Sequence, residues 1–272
     1  MSWLSDRLSL SRLRTGPTAL SQSASSPAAL LEIIQLADPS ARLDGADIVL
    51  TGLRVEAGVE LGEPELRKLN IHDEDRLWAY RIVADGPLPM DGFDRLLAEG
   101  IAHRLDGWAL TRGSMSDPAD AEGRGPIAYL GEMPPPEEMI PLLRGLLRPA
   151  DSVSANWESA GPAELDEGIV HLVQPGFHMY GGADIFVTAV HDKDIPPVVL
   201  ALLPYATQVV KVDVVPFEED DGTVALEGDQ ALLDTGAVAL AVAEAYNGVA
   251  TDLWRFQISK PEDLLAATPD PE

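Results

Sequence analysis

Three of the five histidines, His171, His178 and His191, crowd into the stretch 171–191, around two predicted strands. With Asp184 or Asp192 they could offer nitrogen and oxygen ligands to a metal ion, as a metal-dependent hydrolase would need. The spacing is that of no strong motif. His171 and His178 are seven apart, so on one uninterrupted strand they would face opposite sides, and Pro175-Gly176 interrupts the strand in any case. Ordinary strand and loop histidines are the better reading. No metal and no cofactor is expected, and His171, His178, His191 and Asp184 stand as the candidates that a metal enzyme would use.

Other chemistry finds less support. The acidic runs at 72–75 and 218–221 lack the alternating D-x-D-x-D-G pattern that wraps calcium, and read as solvated turns. There is no G-x-G-x-x-G and no G-x-x-x-x-G-K-[ST] to cradle phosphate. No G-x-S-x-G elbow presents a serine. The segment PGFHMYGG, 175–182, could bring backbone close to a ligand, although a wide turn needs the same residues. Cysteine is absent, which removes disulfides, thiolate nucleophiles and zinc–thiolate sites together.

Asp and Glu number 45 against 19 Lys and Arg, a formal net charge of −26. Such a surface repels nucleic acid and anionic lipid, and suits a partner with a basic surface if it is used at all. The apolar content, 46%, is ample for a packed core. No apolar run approaches the roughly 18 residues of a membrane span, and the N-terminus has no apolar stretch followed by a cleavage site. A soluble, cytoplasmic protein is therefore expected. The preference for Arg over Lys, with abundant Ala, Gly and Pro, points to a bacterial source.

The elements that would position any site follow from hydrophobic period and punctuation. Residues 15–29, rich in Ser, Ala and Pro, read as a flexible joint, so that 1–26 form a flexible N-terminal segment. Helices are predicted over 28–37, 93–104 with Asp91 as N-cap, 137–147, 196–203 and 229–246, the last closed by Asn247-Gly248. Strands are predicted over 46–55, 76–84, 107–112, 127–130, 183–190, 208–215 and 252–258, with a hairpin-like region at 152–174. The loop 113–126 reads as the boundary between a first α/β unit, 27–125, and a second, 126–260. Residues 261–272 read as a tail.

The two units also resemble each other. ADIVLTGL at 46 matches ADIFVTAV at 183, and at an offset of 136 Asp85-Gly86 matches Asp221-Gly222, while Leu96, Leu97 and Gly100 match Leu232, Leu233 and Gly236. Each unit then reads as strand, helix, strand, turn, strand, helix, strand. The expected fold is α+β: two related ferredoxin-like (split βαβ) units, with antiparallel sheets and helices on one face.

The expected function is that of a non-enzymatic binding or adaptor protein, which holds another protein through an acidic surface or a groove between the units. The alternatives are the metal-dependent hydrolase and a regulatory protein that senses a small ligand. At the N-terminal tip, Trp3, Leu4, Leu8 and Leu13 can share one side of a short amphipathic helix, with Arg7, Arg12 and Arg14 outside it, and are the candidate interaction residues. Nucleic acid and the membrane interior are not expected partners.

Overall fold

The computed structural model describes residues 13, 16–121, 125–146, 148–149, 164–166, 169–173, 179–180, 183–216 and 229–266. Over these residues the chain is α+β, and every strand pairing is antiparallel.

The first half runs β1 (Thr18–Ser21), α1 (Pro27–Gln35), β2 (Arg42–Asp44), β3 (Asp47–Leu50), β4 (Leu53–Val55), β5 (Val59–Gly62), α2 (Glu63–Lys68), β6 (Arg76–Ala84), α3 (Phe93–Arg104), β7 (Trp108–Thr111) and β8 (Ser114–Ser116). Its sheet has the order β2-β3-β4-β6-β1-β7-β8, with β5 also paired to β6. β4 and β1 both run antiparallel to β6, which lies between them, so they are parallel to each other, and α1 lies on the path from β1 to β4.

The expected flexible joint over 15–29 is corrected here. Thr18–Ser21 is a central strand, buried at all four positions, with Leu20 opposite Ala79 on one side and Trp108 on the other. Its own sequence, Thr-Ala-Leu-Ser, carries little strand preference. Two flanking strands supply the ladder partners, and the small Ala19 leaves room for the helix above, so tertiary context overrides composition.

The second half runs β9 (Ile127–Leu130), α4 (Pro136–Leu146), β10 (Arg148–Pro149), β11 (Glu164–Asp166), β12 (Ile169–Val173), β13 (Met179–Tyr180), β14 (Ala183–Ala189), α5 (Pro197–Leu202), β15 (Val210–Pro216), α6 (Asp229–Ala245) and β16 (Val249–Thr251). Its main sheet has the order β11-β12-β14-β15-β9-β16, and β10 pairs with β13 separately. Strand for strand, this is the order β2-β3-β4-β6-β1-β7 of the first half. Again β9 and β14 are parallel with β15 between them, and α6 links β15 to β16 as α3 links β6 to β7.

The period-2 alternation of strands sends neighbours to opposite faces. Ala19, Tyr80, Ile82 and Ala109 pack with Leu97 and Ile101 of α3, whereas Leu20, Leu77, Ala79 and Leu110 pack with Leu61, Leu66 and Ile71. In the second half Ala128, Val210, Val212 and Val214 meet Leu232, Val238 and Val242 of α6, while Ile127, Tyr129 and Val209 meet Ile195, Val198 and Val199. The expectation of helices on one face is thus too simple, because α2 and α5 cover part of the other face of each sheet.

Both long helices end in the same way. Asp106 (φ 48) and Asn247 (φ 50) turn left-handed, and the next amide donates back, Gly107 N to Ala102 O at 2.9 Å and Gly248 N to Ala243 O at 2.7 Å. A Cβ on Gly107 would overlap the Leu20 carbonyl, and one on Gly248 the Tyr129 carbonyl, so each cap sits against the first strand of its own half.

Several boundaries differ from expectation. Residues 46–55 form two strands that reverse at Gly52 (φ 71), and the N-cap of α3 is Gly92 (φ 70) in place of Asp91. The expected strand over 252–258 is an irregular strap, and the expected tail beyond Pro261 begins with a 3-10 turn, Pro261–Leu264, whose Leu264 is buried. This strap joins the halves. Trp254 and Phe256 enter the core of the first half, Gln257 N donates to Leu36 O at 2.8 Å, and Leu264 packs into the core of the second.

No helix among the described residues is long and apolar enough to cross a membrane.

Candidate functional site

Between β14 and β15 the chain leaves the sheet and returns. Val190 N donates to Val209 O at 2.8 Å, closing residues 191–208 into one excursion. Its inner side is held by burial of Ile195, Val198 and Val199 against Tyr129, with Leu203 and Ala206 packed at the margin. Three prolines, Pro196, Pro197 and Pro204, restrict its backbone. A further bond, Val198 N to Ala37 O at 3.1 Å, ties it to the end of α1 in the other half.

The outer side is unusual for a segment so firmly anchored. Leu200 is 49% exposed, Leu202 45% and Tyr205 94%. The same excursion begins with a 3-10 turn, Asp192–Asp194, in which Asp192 and Lys193 are exposed and Asp194 half-buried. Glu132, also exposed, follows Gly131, which approaches Ala206. Asp192, Lys193 and Asp194 lie on the same excursion as Leu200, Leu202 and Tyr205, and Glu132 adjoins it at Ala206.

Beside the Ala37–Val198 junction lies the seam between the halves. A groove of 460 Å³ is lined by Ile33 and Leu36 of the first half and by Gln257, Ser259, Glu262 and Leu265 of the strap, with Arg104 and Asp263. Asp263 is committed elsewhere, its carboxylate accepting from Ser259 N (2.8 Å), Ser259 Oγ (3.0 Å) and Lys260 N (3.1 Å).

Arg104 and Asp252 form the polar latch of this seam. Arg104 Nη1 donates to Asp252 Oδ2 at 2.7 Å, and the other oxygen, Oδ1, accepts from Phe256 N at 2.9 Å. The guanidinium lies 4.2 Å from the Phe256 ring centroid, a cation–π contact. Side-chain exposure is 11% for Arg104 and 1% for Asp252, so the pair works in a low-dielectric setting. Next to it His103 Nε2 meets Leu264 O at 3.1 Å and its ring lies 4.4 Å from Trp254. Gly100 of α3 and Gly236 of α6 receive the strap: a Cβ on the first would overlap Phe256, and one on the second would crowd Leu264 and Pro261.

Behind the excursion the Tyr129 phenol is pushed up to about 12. Burial is the largest cause; the nearby Arg255 charge works against it, and Asp213 and Asp252 add to it. Arg255 has φ 72, and its Nε and Nη1 are buried with no hydrogen-bond partner among the described residues.

The strand ladder places two of the sequence candidates. His171 lies in β12 opposite Thr188 of β14, while Asp184 is four positions further along β14, about 13 Å at the rise of a strand. His191 is exposed at the start of the excursion, and His178 lies outside the described residues. Among the described residues no group of three or more His, Cys, Asp or Glu is placed to hold a metal ion. Of the N-terminal candidates, Trp3, Leu4 and Leu8 lie outside the described residues. Leu13 is 7% exposed and packs with Leu20, Leu61 and Leu66 in the core of the first half.

The exposure of Leu200, Leu202 and Tyr205 was missed because PPVVLALLPY, 196–205, reads as an ordinary short buried helix. Its one signal is that a six-residue helix with apolar residues on every side cannot bury them all against a single sheet.

No known protein family, no curated protein and no solved structure matches the chain.

Proposed function

We propose that this chain is a non-enzymatic, cytoplasmic binding protein, built from two related split βαβ units of ferredoxin-like kind, which holds another protein through the surface around residues 191–208. Support for the duplication comes from the common strand order of the two halves, from their matching helix caps and from the paired glycines Gly100 and Gly236 that seat the strap. The helix lengths agree with it. α6 has 17 residues and α3 has 12. That five-residue excess accounts for the change in offset from 136 at Gly100 and Gly236 to 141 at Gly107 and Gly248.

The observation that carries the binding reading is Tyr205. It stands 94% exposed beside two half-exposed leucines, on a segment whose inner side is packed and whose backbone is stiffened by proline. Tyrosine offers a large contact area at low conformational cost, and a preordered segment loses little entropy on association. Fully burying each of the three side chains is worth roughly 1.5–3 kcal/mol.

The test is affinity purification from the native host with the wild-type chain and with Tyr205→Ala, both first shown to have the same melting temperature. A protein retained in stoichiometric amount by the wild type and lost from the variant is the expected result. Identical retention by the two would sink the reading. A second reading, a small ligand sensed between the units, is favoured by the 460 Å³ seam groove, a volume in the range of ligand sites.

A further inference from the structure

We draw no further inference here: the strongest candidate, the 460 Å³ groove at the seam between the halves, lined by Ile33, Leu36, Arg104 and Leu265, carries nothing beyond the second reading above, since Arg104 is already paired with Asp252 and nothing in the structure shows what fills the groove.

Discussion

At the scale of single residues, the contacts with most at stake are those whose partners are both out of water. Asp252 satisfies Arg104 with one oxygen and Phe256 N with the other. Truncation by Asp252→Ala leaves a buried guanidinium without its counter-charge, and the expected loss of unfolding free energy is about 3–5 kcal/mol in denaturant titration. Pairing that change with Arg104→Met removes the uncompensated charge, and part of the loss should return. Tyr129 gives a prediction in pH. The folded chain holds its phenolic proton up to about 12, against 10 when unfolded, so the folded state binds that proton more tightly. The associated stability is complete below pH 10 and is lost as the pH rises through 12, on the order of 3 kcal/mol. In an ultraviolet titration one of the five tyrosines should ionise last, and Tyr129→Phe should remove that step.

At the scale of elements, period and punctuation made much of the fold legible. The alternation in RLWAYRIVA matches β6, 76–84, and the apolar spacing after Asp91 matches α3, 93–104. Asn247-Gly248 announced the end of α6 because Asn tolerates the left-handed turn the cap requires. What stayed hidden depends on neighbours far along the chain. β1 has four residues with a loop's composition, and only β6 and β7 make it a strand. The candidate surface was hidden for a related reason: the exposure of Leu200 is decided by which side of α5 meets Tyr129, and no local pattern encodes that. A prediction about β1 reverses the sequence-based expectation for the N-terminus. Removing residues 1–26 takes out a central strand, so the shortened chain should lose its cooperative thermal transition. Leu20→Ala, which deletes a fully buried side chain there, should cost about 2–5 kcal/mol. A deletion that keeps the wild-type melting temperature would show that the first sheet closes without β1.

At the scale of the whole molecule, the question is whether two halves with the same strand order behave as two domains. The sequence repeat suggests independence, since each half has its own sheet with a packed cluster on each face. The strap argues against it. Trp254 and Phe256 belong to the chain of the second half but pack among Tyr80, Phe93, Leu97 and Ile101 of the first. Without the strap, the first half would keep a large hole where two aromatic side chains sit, and losing one aromatic from a core costs about 3–5 kcal/mol. The second half would in turn have to expose those side chains, together with an unpaired Asp252. Each half thus depends on the other by an amount comparable to the 5–15 kcal/mol stability of an ordinary domain. The full-length chain is therefore expected to unfold in one transition, with equal calorimetric and van't Hoff enthalpies. Phe256→Ala should lower its midpoint and separate it into two steps, the first half melting earlier. Two transitions in the wild-type chain would show that the strap ties the halves together without making them depend on each other.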